Sequence, residues 1–388
     1  MTVISRKADN QIAHLSPEDV QAIGRELEAI RRDVLESRGA RDAAYIRRVI
    51  QVQRSLELGS RAVLLFSKWR PAWVVGTAGL AVAKILENME IGHNVLHGQW
   101  DWMRDPKIHS STWEWDHASP AEQWKRTHND MHHTYTNVIG KDNDLGYGIM
   151  RVDEDQPWQP RHLLQPFENL LNALFFEYGI TLYDLDMGQY MRTGKKIDGA
   201  FKRRVKGALR KVGRQVTKDY VVHPLMSGPS AKSTLTANFT ANVIRNVWSH
   251  AVIMCGHFPE GVETFETDSI EGETKDEWYV RQMLGSANID GPPLMHIMTG
   301  NLSHQIEHHL FPDLPSNRYG EIAPRVRELF EKYDLAYVSG SLPKQVYSAW
   351  RKIIRLSLPN DFFGANKTPE GSTPTAPLVV LAPAAVLG

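Results

Sequence analysis

Eight histidines of this chain fall into three short clusters whose spacing suits metal binding. The clusters are His93 and His97; His128, His132 and His133; and His304, His308 and His309. On an α-helix, residues four apart share a face, so each His-x-x-x-His pair presents two imidazoles in one direction. In the second and third clusters the additional histidine is turned by about 100° and could serve a neighbouring metal. The chemistry indicated is that of a metal centre held by imidazole nitrogens.

The ligand types restrict the metal only in part. Eight clustered imidazoles exceed the needs of one ion, which favours two. The chain has one cysteine among 388 residues, which excludes cysteine-based zinc fingers, iron–sulfur sites and intrachain disulfides. Imidazole binds zinc, copper, iron and nickel, so ligand chemistry leaves these metals open. The His-Glu-x-x-His pattern of zinc proteases is absent, because Glu307 stands directly before His308.

Further side chains near the clusters are candidates for the same centre. His257 ends an apolar segment and is predicted as an additional ligand, while His250 lies two helical turns before it on the same face. Metal-bound histidines normally give their second ring nitrogen to a carboxylate or a carbonyl. The acids close enough in sequence for that role are Glu87, Glu90, Asp130, Asp142, Asp144 and Glu307.

The polar and apolar segments that must position these histidines divide the chain into three parts. Residues 1–44 form a polar segment in which Ser16 caps an amphipathic helix that extends to about Ser37, and no signal peptide is expected there. Residues 45–355 carry all the clusters, and residues 356–388 are expected to be a flexible tail. With 45 basic and 45 acidic residues, the chain is not expected to bind nucleic acid.

Two apolar hairpins surround the clusters, at about residues 49–97 and 220–257. No uninterrupted run of 18 apolar residues occurs, so composition leaves both membrane hairpins and buried hairpins of a soluble protein open. Residues 201–218, just before the second hairpin, carry eight basic side chains and no acid. This segment fits the positive flank of a membrane span, or a contact with phosphates or an acidic protein.

With their surroundings, the clusters resemble the histidine boxes of the membrane fatty acid desaturase superfamily, in the form seen in actinobacterial acyl-CoA desaturases of the stearoyl-CoA, delta-9 type. The similarity rests on residues 92–98, 128–137 and 301–312, which occur in this order, and it extends to residues 256–265. It covers roughly residues 45–355, which are therefore expected to form one fatty acid desaturase domain.

This resemblance implies an all-α integral membrane bundle, with two transmembrane hairpins and a cytosolic helical cap that holds a di-iron site. It implies a location in the cytoplasmic (inner) membrane, with the active site facing the cytoplasm. The implied reaction is the O2-dependent insertion of a cis double bond into a saturated fatty acyl-CoA or acyl-lipid, with delta-9 conversion of stearoyl to oleoyl expected. Electrons would come from a separate ferredoxin, flavodoxin or cytochrome with its reductase.

The iron ligands implied by the resemblance, with His257 and His304 added, are His93, His97, His128, His132, His133, His257, His304, His308 and His309. The third box leaves one choice open. Front-end desaturases place glutamine where others place the first histidine of this box, and Gln305 stands there. Either His304, one residue earlier, or Gln305 completes the box.

Other functions are consistent with the same residues. The enzymatic alternatives are a related di-iron hydroxylase, acting on alkyl chains or sphingolipids, and a front-end desaturase. A non-catalytic metal-binding membrane protein is the alternative without catalysis, and a soluble zinc hydrolase is a third possibility. Product analysis and metal content distinguish these functions.

Overall fold

The computed structural model of the chain describes residues 11–142, 144–185 and 196–362, and these residues are mostly helical. The longer helices are α1 (Pro17–Ser37), α2 (Ala40–Leu64), α3 (Arg70–Leu86), α4 (Ala121–Lys125), α5 (Gln165–Leu174), α6 (Phe176–Tyr183), α7 (Gly199–Thr217), α8 (Ala231–His257), α9 (Lys275–Leu284), α10 (Pro293–Met298), α11 (Gln305–Leu310), α12 (Tyr319–Lys332) and α13 (Leu342–Leu356). Two short strands, β1 (Asn288–Asp290) and β2 (Ser339–Ser341), pair in parallel with Ile289 opposite Gly340. Most of the predicted flexible tail, residues 363–388, lies outside the described residues.

Helix α1 begins and ends where the sequence predicts. The Ser16 hydroxyl accepts a hydrogen bond from the Asp19 N–H at 3.1 Å, and the Asp19 carboxylate accepts one from the Ser16 N–H at 2.9 Å. This reciprocal pair satisfies two backbone N–H groups at the start of the helix. One apolar stripe, which includes Ile23, Leu27 and Ile30, is fully buried in a core shared with α9 and α12. The predicted amphipathic helix is confirmed, and it packs on the part of the chain that follows the second hairpin.

Helices α2 and α3 form the first predicted hairpin. Small residues let them approach closely: a Cβ on Gly76 would come within 2.7 Å of the Leu64 side chain, and one on Gly79 within 2.3 Å of the Ser60 hydroxyl. Helix α8 packs against α3, and the one-turn helix His223–Met226 leads into it, which gives the second hairpin.

The helices of both hairpins are of mixed polarity. Lys84 on α3 is buried, and its ammonium group contacts the Asp219 carboxylate at 2.7 Å. On α8, the buried Asn238 and Asn242 side-chain amides donate to the Asp219 backbone carbonyl at 2.6 Å and to the Asp219 carboxylate at 3.1 Å. Within the described ranges, no helix combines the length and the apolar character that crossing a bilayer requires. The structure therefore supports the predicted helical bundle, and it does not supply the predicted transmembrane helices.

Two segments with π-helical hydrogen bonding carry histidine clusters. Glu87–His93 prolongs α3, and Arg126–His132 prolongs α4. In the second segment, the His133 N–H bonds to the His128 carbonyl, five residues back, at 3.1 Å. Short π-helical insertions often occur at functional sites. They also change which side chains share a face of the helix, and therefore which histidines point toward the same place.

Candidate metal centre

Eight of the nine predicted ligands meet in one cluster, where the ends of α3, α4 and α8 approach α11. Their ring nitrogens form two groups, and within each group the potential ligand atoms lie within 4.8 Å of one another. The first group is His93, His97, His128 and His308, and the second is His132, His257 and His309. His133 lies between the groups: its ring centroid is 4.7 Å from that of His97 and 4.4 Å from that of His309.

The π-helical turn explains how one short segment serves both groups. On an α-helix, His132 would share a face with His128, and His133 would be turned aside by about 100°. In the π segment each turn holds more residues. His132 and His133, four and five residues after His128, therefore both lie close to the face that carries His128. The ring centroid of His128 is 5.1 Å from that of His132 and 5.0 Å from that of His133. The second box can therefore address two metals from three neighbouring side chains.

The spacing of facing nitrogens agrees with ligands that share an ion. The Nε2 atoms of His93 and His128 are 3.2 Å apart, and those of His257 and His309 are also 3.2 Å apart. Two imidazole nitrogens bound to one ion at about 2.1 Å are separated by about 3.0–3.4 Å at ordinary coordination angles. One such pair lies in each group, which fits two ions.

Unpaired nitrogens inside the cluster support the same interpretation. The buried ring nitrogens without a hydrogen-bond partner include Nε2 of His97, Nε2 of His308 and both nitrogens of His133. Buried polar atoms are nearly always satisfied, because leaving them unpaired costs free energy. A set of inward-facing imidazoles with unused lone pairs is the donor set that a pair of metal ions would satisfy.

In six of the eight clustered histidines, in contrast, the outward-facing Nδ1 has a protein partner. His132 Nδ1 lies 3.0 Å from both Asp142 oxygens, and His128 Nδ1 lies 3.1 Å from the Asp144 carboxylate. The other outer pairs are His93 with Asn94, His257 with the Gly285 carbonyl, His308 with Tyr319, and His309 with Thr136 and Gln282. With Nδ1 engaged in this way, Nε2 is left for a metal.

Only two of the six predicted outer carboxylates occupy that role. Asp142 and Asp144 do, whereas the Glu90 carboxylate accepts hydrogen bonds from Tyr45, Asn301 and Ser316. The Glu307 carboxylate binds Asn288 and Tyr337, Glu87 faces Arg54, and Asp130 is exposed. The prediction is wrong for these four acids.

Sequence reasoning missed several outer partners. Thr136 could have been found, because it lies four residues after His132 within the second box. Gln282 and Tyr319 had no local signal, since they belong to α9 and α12, which approach the cluster only in the folded chain.

Burial and crowding keep most of these imidazoles neutral. Burial, together with neighbouring imidazoles, lowers the pKa well below its usual value in His97, His128, His133, His308 and His309. Burial lowers the pKa of His93 to about 4. His132 differs: burial acts to lower its pKa, but the charges of Asp142 and Asp144 outweigh this and raise it to about 9. Neutral imidazole is the form that binds metal, so only His132 must first lose a proton.

Metal binding to the metal-free protein should therefore release about one proton at about pH 7.5, from His132. The folded-state pKa of His132 is raised from 6.5 to about 9, so its proton stabilises the metal-free fold fully below pH 6.5. That contribution is lost as the pH rises through about 9. Calorimetric titration with ferrous iron, in buffers of different ionisation enthalpy, measures the released proton. The same release from a His132→Asn variant would contradict the assignment.

The ninth predicted ligand, His304, lies apart from the cluster. Its ring stacks on that of His296, with centroids 4.6 Å apart, in a separate surface cavity. His304 ends a 3₁₀ turn and has φ −102° and ψ 57°, so it is not in helical register with His308. The Gln305 amide nitrogen instead lies 3.0 Å from His257 Nε2. The prediction of His304 as a ligand is therefore corrected, and Gln305 is the residue of this pair that reaches the cluster.

His250, the remaining histidine on α8 considered as a ligand, is also engaged elsewhere. Its Nε2 lies 3.0 Å from the Asn169 side-chain oxygen on α5.

A largely apolar cavity opens beside the histidines. Its walls include Trp115, Trp124, Phe176, Ile180 and Ile253, and its inner side is formed by His93, His128, His132 and His257. The Trp124 ring stacks on His128, with centroids 4.3 Å apart and an interplanar angle of 19°. A ligand in this cavity would present apolar groups directly to the candidate metal centre.

Comparison with known proteins agrees with this arrangement. Residues 67–341 match the fatty acid desaturase family. An NADPH-dependent stearoyl-CoA 9-desaturase of Mycobacterium tuberculosis is 52% identical over 358 residues, which are 91% of this chain and 84% of that protein. An sn-1 linoleoyl-lipid 6-desaturase of Synechocystis is 25% identical over 291 residues, which are 70% of this chain and 79% of that protein. Because the family match spans most of the chain and contains all three histidine boxes, this protein belongs to the fatty acid desaturase family.

Proposed function

We propose that this enzyme inserts a cis double bond at position 9 of a saturated acyl-CoA, converting stearoyl to oleoyl, in an O2-dependent reaction at a di-iron centre. The observation that carries the proposal is an apolar cavity bounded by histidines of both ligand groups. The relative that shares 52% identity is named for stearoyl-CoA and position 9, which supports this substrate and regiochemistry. The acyl-lipid 6-desaturase is only 25% identical.

Iron is compatible with the donor set, since imidazole is among its usual ligands. His93, His97, His128 and His308 would hold one iron, and His132, His257 and His309 the other, with His133 next to both. When bound, two irons with O2 would supply an oxidant strong enough to remove hydrogen from an unactivated methylene pair.

The residues of this chain would position the acyl chain and exclude water. Trp124, Phe176 and Ile180 belong to one buried apolar cluster. The Trp115 indole N–H donates to the Ser119 carbonyl at 2.8 Å, which fixes that ring as a wall of the cavity. Holding the reacting carbons next to the metal centre in a dry site favours a single reaction and suppresses others.

The reaction also requires an external source of electrons. Removal of two hydrogens from the acyl chain and reduction of O2 to two waters consumes two electrons and two protons from a donor. We propose a separate ferredoxin, flavodoxin or cytochrome with its reductase. The name of the Mycobacterium tuberculosis relative includes NADPH dependence, which supports NADPH as the ultimate reductant.

We further propose that the enzyme is attached to the cytoplasmic membrane, with the metal centre on the cytoplasmic side. The support is an apolar surface at the adjoining ends of the two hairpins. Phe66 and Trp69, between α2 and α3, are 69% and 67% exposed, and Leu225 and Met226, before α8, are each 70% exposed. The hydroxyl groups of Ser67 and Ser233 are 2.7 Å apart and join the two ends. Exposed apolar surface of this kind marks a contact with lipid or with another protein.

Expression in a host that lacks unsaturated fatty acid synthesis, together with a ferredoxin and an NADPH-dependent reductase, tests the proposal. We expect oleate, with the double bond located by mass spectrometry. A double bond nearer the carboxyl group would favour a front-end desaturase, and a hydroxylated product would favour the hydroxylase alternative. Iron-loaded, reduced enzyme that forms no double bond would contradict desaturation.

Filling the cavity should impair turnover without removing the metal. Ile180 is buried and lines the cavity, so Ile180→Trp would overfill it. We expect kcat/KM for stearoyl-CoA to fall by at least about tenfold, the effect of misplacing a substrate near the reacting centre. Ile180→Val, which removes one methyl group, is the matched control. Unchanged turnover in the tryptophan variant would place the acyl chain elsewhere.

A further inference from the structure

We infer that helix α7 lies on the membrane surface and binds the headgroups of anionic phospholipids; this rests on the proposed membrane attachment. The exposed side of α7 carries five basic side chains, which we call its basic face: Lys202, Arg203, Lys206, Arg210 and Arg214. No acidic residue occurs between Gly199 and Thr217. Among the described residues, none of the five has an ion-pair partner, so their charges are available to a ligand.

Two other basic residues, Lys211 within this helix and Lys218 just after it, form contacts within the fold. Lys211 is buried, and its ammonium group contacts Glu114 at 2.5 Å and the Trp115 carbonyl at 2.8 Å. Lys218 pairs with Asp116. These contacts anchor the inner side of the helix, while the five outer side chains have no ion-pair partner within the part of the chain that the structure describes.

An apolar edge runs beside the basic face. Leu209 and Val216, seven residues apart and thus on one line of the helix, are 68% and 38% exposed. The chain then continues through the exposed Val221 and Val222 to Leu225 and Met226, which belong to the apolar surface of the hairpin ends. A helix with a basic face next to an exposed apolar edge is typical of the membrane interface. An acidic protein or the phosphates of acyl-CoA would not require that edge.

The inner contacts of α7 connect it to the acyl cavity. The Gln215 amide donates to the His117 carbonyl at 3.2 Å, and the Gln123 amide donates to the Arg204 carbonyl at 2.9 Å. His117 lines the cavity, as do Trp115 and Trp124 next to these contacts. Lipid binding to α7 would therefore hold one wall of the cavity against the membrane from which an acyl chain arrives.

A label on α7 tests this inference in the full-length enzyme. Gly213 lies on the exposed side, and a Cβ there would meet no atom within 4 Å, so Gly213→Cys is tolerated sterically. The native Cys255 is fully buried and should not react. The labelled enzyme is placed in nanodiscs of neutral phosphatidylcholine, with or without about 30% phosphatidylglycerol. Quenching of a bimane label by acrylamide then reports contact with water.

We expect anionic lipid to reduce quenching several-fold, and about 0.5 M salt to reverse the effect by screening. Lys202→Gln, Lys206→Gln and Arg210→Gln together should abolish the lipid dependence. The matched control neutralises Arg25, Arg32 and Lys107, which are also exposed and basic. This control variant should keep the dependence of quenching on anionic lipid. Equal quenching in both lipids would overturn the inference, as would a higher KM for stearoyl-CoA or for the donor protein without any change in quenching. Failure of the enzyme to associate with any nanodisc would instead refute the membrane attachment itself.

Discussion

Replacing His308 with alanine should release iron and reduce turnover by at least about 100-fold, since loss of an outer partner alone commonly costs 10–100-fold. His308 is fully buried, its Nε2 faces the first group without a hydrogen-bond partner, and its Nδ1 is 3.3 Å from the Tyr319 hydroxyl. Alanine removes one of four imidazoles from this group and leaves a buried polar void. Elemental analysis of the purified variant and assay of oleate formation measure both effects.

The matched control is His304→Ala, four residues away in the same box. His304 stacks on His296 outside the cluster, so this variant should retain iron and most of its turnover. Comparable iron loss in both variants would mean that the third box binds metal in another arrangement. Thermal unfolding of both metal-free variants separates ligand loss from a general loss of stability.

Replacing Asp142 with asparagine should lower the affinity for iron by about 10–100-fold, although Asp142 is not a predicted ligand. Both of its oxygens face His132 Nδ1 at 3.0 Å, and they also accept the backbone N–H groups of Asn137 at 2.8 Å and Asp144 at 2.9 Å. An asparagine would turn an NH2 group toward one of these donors and would lose the charge that orients the imidazole. Competition with a coloured chelator measures the affinity.

Asp153→Asn is the control for Asp142. Asp153 is also a buried acid in the same part of the chain, but it accepts its hydrogen bonds from Thr264 and from the Asp155 N–H. Its replacement should leave iron affinity unchanged within about a factor of two, because the Thr264 hydroxyl and the Asp155 N–H that it accepts from are not metal ligands. Unaltered affinity in the Asp142 variant would show that His132 is oriented by other contacts.

Much of the fold and of the site follows from local patterns. The cap of α1 and the three histidine boxes are short-range features, because each depends on residues within one or two helical turns. Each helical hairpin joins consecutive helices through a short turn, which the apolar segments and turn residues also indicate. Asp142 and Asp144 could be predicted as outer partners for the same reason, since they follow the second box closely. For the transmembrane hairpins implied by the resemblance, no helix in the described part of the chain is long and apolar enough to cross a bilayer.

The sequence by itself determined that imidazoles would hold any metal, and eight of its nine predicted ligands meet in the candidate centre, because short spacings along the chain place their side chains close together. Only the tertiary structure decided between His304 and Gln305, because the non-helical backbone at His304 turns its side chain away. It also decided that His133 lies between the two groups, because that depends on a π-helical turn. Tyr319 and Gln282 reach the histidines from helices distant in sequence, so their role depends on packing that no local pattern contains.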